Sequence, residues 1–383
     1  MGLDSSFAAL YIGPDKLGAI KAQKTKNGVN ILDKGYLNYG GYDKTCLAED
    51  TSNVLSRLLE KLELPKDSLL AIGIPQEFCL HSIEQVQLRL PQAEEYGLRQ
   101  EEQLLSKISE SPKGYDCIEK GIVRYYQADG AQITSPYGLI TKEISADIAL
   151  TYATQNVLQV IESNLQKINV KAVYTGIANA IAKRFIPYSA RDSDTLLVSI
   201  GYAETIIALT HNFAIVRSIH FTLGVADIIC DLIKVLKIGY LHALALFEVL
   251  DLSIMPTKND KYTITVKGDK FEYDVNSINE IAAARIKQIF DCCLEAILKL
   301  GNPEVDVYLV CRGFSQEKGL IDAASKALAK NVIFASTNAF FFKDKPEEEA
   351  LLNYCSSIVP QSKTNKKRSS NRLISLFRRK KVG

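Results

Sequence analysis

Histidine is scarce in this 383-residue chain, with four in all. None stands at a metal-ligand spacing, so a metal centre built from side chains is not expected. The eight cysteines include no C-x-x-C pair. They read as reduced core residues of a cytoplasmic protein, not as a disulfide framework or a zinc site. No run of 18 or more apolar residues occurs, so hydropathy gives no membrane-spanning helix. Met1–Ala9 lacks the basic start and sustained apolar region of a secretory signal. Apart from Phe377, aromatic residues do not accompany the basic ones, which argues against a base-stacking nucleic-acid surface and against nucleic acid as a partner.

What is present is an ordinary globular balance, 47% hydrophobic and 23% charged, in a chain long enough for two or three domains with a large core. The net charge of +2 conceals an asymmetry. Residues 363–383 hold nine basic side chains and no acidic one, leaving 37 basic against 44 acidic in the body. An acidic body therefore carries a basic tail.

That tail is patterned. Residues 359–369 are polar and read as a flexible linker. Residues 370–383 begin at Ser370, a helix N-cap type. On a helix Leu373, Ile374, Leu376 and Phe377 fall within about 160° of arc. Arg372, Arg378, Arg379 and Lys380 are the charges around them. Such a helix suits an anionic membrane surface, where each basic residue contributes on the order of 1 kcal/mol. Binding would be reversible and strengthened by clustering.

The body opens with strand-like runs at Phe7–Ile12, Leu17–Gln23 and Val29–Leu32, the last two joined at Asn27-Gly28, a hairpin signal. An amphipathic helix over Thr51–Leu62, with Ser52 as its cap, and a buried strand over Ser68–Ile74 follow. Residues 76–160 depart from this order and read as an inserted subdomain of mixed strands with a polar helix over 94–108. A second helix is expected over 146–168, then a strand over 170–176 and a helix over 177–185.

The stretch from Asp194 to Ile228 repeats the opening pattern. Thr195–Ile200 is a short apolar run, Gly201 breaks it, Thr205–Leu209 and Ala214–Phe221 follow, and Gly224 precedes a long apolar helix. Beyond it come a helix over 240–252, a hairpin over 261–275, a helix over 279–300, a strand over 305–310, a glycine turn at Cys311-Arg312-Gly313-Phe314, a helix over 321–329, a strand over 331–335 and a last helix centred on 346–354.

This order resembles the actin-like ATPase superfamily, and most closely the FtsA family of bacterial division proteins. The likeness rests on the frames Ser199-Ile200-Gly201-Tyr202-Ala203-Glu204-Thr205 and Leu223-Gly224-Val225-Ala226, and on Ala284–Phe290 with Arg285. It rests also on the glycine turn at Gly313, the inserted stretch with Ser135-Pro136-Tyr137-Gly138, and the tail. The resemblance implies an α/β fold of two actin-like domains, each a ribonuclease-H-like unit, over 1–192 and 193–358. An inserted small subdomain, the linker and the amphipathic helix complete it.

It also implies ATP with Mg²⁺ as cofactor, yet the motifs are degraded. The aspartate positions of the two phosphate turns hold Tyr11 and Ser199, the first loop reads Gly13-Pro14-Asp15-Lys16, and Arg312 and Phe314 replace small residues. Pro14 removes a donor N–H, and Asp15 repels phosphate. Either weak binding through Gly13, Lys16, Gly201, Thr205, Gly224, Arg285 and Gly313 survives or none does, and hydrolysis is not expected. The implied function is an adaptor at the inner membrane face that tethers the FtsZ polymer at the division site and self-associates. The alternatives are a PilM-like adaptor of a pilus or secretion machine and an active actin-like ATPase.

Overall fold

A computed structural model describes residues 6–25, 28–39, 47, 49–166, 168–257, 259–314, 318–337, 342 and 345–359. It forms two compact units. Of the described residues, the first holds those from 6 to 194, 210–217 and 347–359; the second holds those from 195 to 209 and from 218 to 346. Residues 360–369 of the expected linker, and Arg372, Leu373, Ile374, Leu376, Phe377, Arg378, Arg379 and Lys380, expected to meet a membrane, lie outside the described residues, as does Cys46.

In the first unit β1 (Ser6–Ile12), β2 (Lys16–Thr25) and β3 (Gly28–Asn38) form an antiparallel meander, and β4 (Ser68–Ile74) and β9 (Val170–Gly176) add in parallel, giving the order β3-β2-β1-β4-β9. The central strands are apolar on both sides, as a sheet covered on both faces requires. One face meets α1 (Glu49–Lys61), whose Leu55, Leu58 and Leu59 are buried, and α3 (Gln155–Leu165), which contributes Val157, Leu158 and Ile161. Ser52, expected as the cap of α1, lies inside the helix and accepts from Asn164 Nδ2 of α3 at 2.8 Å. It ties the two helices together.

Between β4 and α3 the chain builds a separate four-stranded antiparallel sheet, ordered β5-β8-β6-β7, from β5 (Cys79–Glu95), β6 (Tyr115–Gln127), β7 (Gln132–Ile133) and β8 (Ile140–Thr154). The helix α2 (Leu98–Leu105) covers it, fixed where Tyr125 and Tyr137 both donate to Glu101. Two expectations fail here. The helix over 94–108 is shorter, because β5 runs on to Glu95. The helix over 146–168 is a strand as far as Thr154. Ala146, Ile148, Leu150 and Tyr152 satisfy a period of two, and β8 is flanked on both sides by β5 and β6.

The other face of the first sheet carries α4 (Ile177–Phe185) and α9 (Pro346–Ile358). The sequence order places this last helix with the second domain, but its side chains belong to the first unit. Leu351 lies against Gly73, Cys355 Sγ donates to Ala8 O at 3.3 Å, Tyr36 donates to Glu348 at 2.7 Å, and Arg184 Nε donates to Glu349 at 2.9 Å. A helix that closes a fold from the far end of the chain is set by such long-range partners, which local pattern does not encode.

The second unit repeats the first. β10 (Thr195–Ile200), β11 (Thr205–His211) and β12 (Ala214–Phe221) form the meander, and β15 (Val307–Cys311) and β16 (Val332–Phe334) add in parallel, in the order β12-β11-β10-β15-β16. Both sheets thus share one plan: an antiparallel meander extended by two parallel strands beside its first strand. α5 (Val225–Leu236), α6 (Tyr240–Val249), the hairpin β13 (Lys261–Val266) and β14 (Asp269–Asp274), α7 (Val275–Lys299) and α8 (Leu320–Leu328) complete it. Asp274 caps α7 by accepting from Ser277 N at 3.0 Å. Cys293, Cys311 and Cys355 are buried, whereas Cys230 on α5 is exposed, contrary to the expectation of a core position. No disulfide joins the seven described cysteines. No helix among the described residues is long and apolar enough to cross a membrane.

Two neighbouring polar groups in the first unit, Glu119, which is buried, and His81, which is largely buried, bear on its response to pH and mutation. Glu119 is 4% exposed, accepts from Thr175 Oγ1 at 2.6 Å and pairs with Lys183. Nearby His81 bonds Thr151 Oγ1 at 3.1 Å, and burial, opposed by the charge of Glu119, lowers its pKa to about 4. A neutral buried histidine favours the folded state above the unfolded pKa of about 6.5, and that advantage is lost as pH falls toward 4. Between pH 7 and pH 5 this histidine should therefore cost about 2 kcal/mol of stability. Urea unfolding of the natural chain and His81→Gln at both pH values measures it, and the variant should lose less by that amount. Lys183→Met, which strands Glu119, should cost about 3–5 kcal/mol at pH 7; urea unfolding of the Glu119→Gln, Lys183→Met double variant should show most of that loss recovered.

Candidate functional site

The resemblance draws attention to two glycine turns, one in each unit. In the first unit the β1–β2 turn is closed by Gly13 N donating to Lys16 O at 3.0 Å. Tyr11 stands at the end of β1, and its ring covers Gly13. A Cβ built on Gly13 would lie 2.4–2.7 Å from Tyr11 ring atoms and its hydroxyl. The position that would carry a carboxylate for metal-bound water thus carries an aromatic ring folded onto the loop. Tyr39, at the end of β3, donates its hydroxyl to Gly13 O. Burial, then the charges of Asp15 and Glu77, push this phenol well above its ordinary range, so it remains a donor. Lys16 sits 5.3 Å from the centre of the Tyr36 ring, a cation–π arrangement. Gly13 and Lys16 are therefore brought together, but in a turn closed by its own groups.

The second turn is built by β10, β11 and the start of α5. Gly201 N donates to Glu204 O at 2.8 Å, and Thr205, fully buried, donates from Oγ1 to Leu223 O at 2.8 Å. The N-terminus of a helix such as α5 ordinarily offers unsatisfied N–H groups to an anion. Here they are used. Gly224 N donates to Asp227 Oδ2 at 2.9 Å, Val225 N to Gly201 O at 3.0 Å, and Ala226 N to Tyr202 O at 2.7 Å. Gly224 is required by closeness rather than by dihedral angle, since a Cβ there would lie 2.6 Å from Tyr202 O and 2.7 Å from Gly201 O. Gly201, Thr205 and Gly224 thus form one cluster, knit backbone to backbone.

The two remaining residues of the second unit are engaged elsewhere. Arg285 on α7 holds Asp231 of α5 through Nε at 2.6 Å and Nη2 at 3.0 Å, and it also donates to Gln288. Gly313, at φ +82°, lies under Phe247, whose ring would be 2.2 Å from an added Cβ. Phe314, which stands where the resemblance has a small residue, turns into the core, with its ring 5.3 Å from that of Phe247 at 88°. Arg312, 7% exposed, places its guanidinium 5.4 Å from the centre of the Tyr202 ring.

A carboxylate pair that would orient a Mg²⁺-bound water is missing at Tyr11 and Ser199, and the donors that would hold phosphate are taken by the chain itself. A phosphate at the second turn would compete with the internal acceptors of Gly201, Gly224, Val225 and Ala226 N. Tyr39 and Asp227 were not singled out in the sequence. Asp227 was legible as a capping residue three positions after Gly224; Tyr39, at the far end of a strand, left no local signal.

No protein-family model matches the chain, and no curated protein does. Solved structures do. A PilM-PilN type IV pilus biogenesis complex matches with a TM-score of 0.55 and 12% identity, over 93% of this chain and 97% of that one. MreB5 of Spiroplasma citri bound to AMPPNP matches with a TM-score of 0.53 and 9% identity, over 91% and 95%. The ethanolamine utilization protein EutJ from Carboxydothermus hydrogenoformans matches with a TM-score of 0.50 and 12% identity, over 91% and 90%. The chain has the actin-like ATPase fold. At these identities the likeness extends to architecture alone. Within the fold, this chain's two glycine turns are engaged by groups of the chain itself.

Gly224→Ala tests the second turn. The new methyl would press on backbone carbonyl oxygens that have no rotamer to escape by, so the variant should lose about 1–3 kcal/mol in chemical denaturation. A loss of a few tenths, as expected at an open helix cap, would mean that the turn and the helix end are not in close contact.

Proposed function

We propose that this chain is a non-hydrolysing adaptor on an actin-like fold, which links an anionic membrane surface to a cytoskeletal polymer of the FtsZ type at the division site and self-associates there. The reading is carried by the second glycine turn, where the N–H groups that would receive phosphate donate to Gly201 O, Tyr202 O and Asp227. A fold kept while its donor set is spent internally suits a scaffold better than a nucleotide-driven motor. The basic amphipathic tail, with Leu373, Ile374, Leu376 and Phe377 framed by Arg372, Arg378, Arg379 and Lys380, supports the membrane arm. MreB5, on the same fold, holds AMPPNP in its structure; this reading has weak or lost ATP binding and no turnover.

A second reading is favoured by the likeness to the PilM-PilN complex: an adaptor of a pilus or secretion machine on the same fold. The two diverge at the partner. The division reading expects the chain to co-sediment with FtsZ polymers, whereas the pilus reading expects no such co-sedimentation.

Two measurements test the proposal. Flotation with anionic vesicles should recover the full chain and lose it on truncation after Ser362, with 0.5 M salt weakening binding severalfold. Equal flotation of both chains would remove the membrane arm. With a fluorescent ATP analogue and Mg²⁺, the natural chain should bind at best weakly, and the Tyr11→Asp, Ser199→Asp double variant should bind more tightly. Tight, Mg²⁺-dependent binding with steady phosphate release by the natural chain would sink the scaffold reading.

A further inference from the structure

A cleft of about 710 Å³ lies in the first unit, between the inserted sheet and the margin of the first five-stranded sheet. It is bordered by β6, β9 and the last turn of α3. Both strands meet it with an edge that no described strand pairs. β9 ends its sheet with β4 as its neighbour, and β6 from Tyr115 to Arg124 is paired by β8 on one side alone. Two unpaired edges flanking a cleft offer backbone donors and acceptors to an extended segment.

The lining selects what that segment should be. Asp116, Glu119 and Glu162 stand against Lys120, although Glu119 already pairs with Lys183. With Glu119 offset by Lys183, Asp116 and Glu162 leave the lining one negative charge in excess of Lys120, and Leu165 and Tyr174 are among its less polar members. Within this chain the matching segment is the tail, whose residues 363–383 hold nine basic side chains, no acidic one, and Leu373, Ile374, Leu376 and Phe377.

The tail also starts within reach. The carbonyl of Val359 is held by Lys24 Nζ at 3.0 Å. Lys24 lies two residues beyond Ala22, and Ala22, Phe7, Leu69 and Lys171 are partners in one row across β2, β1, β4 and β9. That row spans about 14 Å. Residues 360–369 alone extend up to about 33 Å, enough to round the sheet margin and enter the cleft beside β9.

We propose that the basic tail docks in cis in this cleft, extended along the open edges of β9 and β6, with its arginines toward Asp116 and Glu162 and its large apolar residues on Leu165 and Tyr174. A tail held this way cannot present an amphipathic helix elsewhere, so whatever clears the cleft releases it. The docking stands apart from the membrane reading, and its test uses no lipid.

A labelled peptide of residues 363–383 is titrated into the chain ending at Ser362, which removes only residues beyond the described fold, and binding is read by fluorescence anisotropy. The Asp116→Lys, Glu162→Lys pair should weaken binding at least tenfold. Lys120→Glu, which keeps the Asp116–Gln155 hydrogen bond, should tighten it severalfold and serves if the double variant does not fold. The full chain should take up the peptide at least tenfold more weakly, because its own tail competes. Equal binding of a scrambled peptide, indifference to both charge changes, equal binding by the full chain, or no binding at all would each overturn the proposal. So would a concentration-dependent dimer of the full chain that truncation abolishes, since that assigns the cleft to the tail of a second copy.

Discussion

The first turn of α5 is bound backbone to backbone to the turn that follows β10, and the second unit is built around that closure. A helix N-terminus leaves donors that must be satisfied somewhere. In an anion site the partner is a phosphate. Here the partners are Gly201 O and Tyr202 O, with Asp227 serving Gly224 N. The same contact requires Gly224, because any side chain would meet those carbonyls, and it sets the entry of α5 beside β10 and β11. Thr205, donating to Leu223 O, pins the other side. A net hydrogen bond contributes only about 1 kcal/mol, but leaving a buried donor unmade costs 1–3 kcal/mol. A turn with several such donors is therefore stable only when each is answered. This chain answers them internally, and a ligand has to offer more than it displaces.

The first turn reaches a similar end by different chemistry. Tyr11 lays its ring on Gly13, and Tyr39 donates to Gly13 O from the end of another strand. An aromatic ring fills volume that a carboxylate and its water shell would otherwise occupy. Hydrogen bonds close both turns, and the first is covered by a ring as well. The plan of the two sheets, by contrast, is the same, meander and parallel pair alike.

Much of this was legible in the chain. The strand runs at Thr195–Ile200, Thr205–Leu209 and Ala214–Phe221 coincide with β10, β11 and β12 almost to the residue, because short apolar runs between glycine and His-Asn turns have few other ways to fold. The loss of chemistry at Tyr11 and Ser199 was also legible, as residue identity alone decides whether a carboxylate is present. Three things were not. Residues 146–154 carry apolar residues that fit both a helix and a strand, and pairing with β5 and β6 chose the strand. The partner of α9 was hidden because Glu349 and Arg184 lie 165 residues apart. Phe314 turns inward because Phe247, 67 positions earlier on α6, receives its ring; the sequence shows a bulky residue in a glycine turn but not which way it points.

The placement of α9 has a mechanical consequence. Its first turn holds Glu347, Glu348 and Glu349, all at most 5% exposed, and such burial is tolerated only with partners such as Tyr36 and Arg184. Its last turn ends where Lys24 grips Ser356 O at 2.6 Å and Val359 O at 3.0 Å. The residues from 360 onward therefore leave from a helix anchored at both ends to the first sheet. The helix is thus tied to β1 through Cys355, to β2 through Lys24 and to β4 through Gly73, and to α4 through the partly exposed Arg184 and its partner Glu349, and none of these contacts involves a glycine turn.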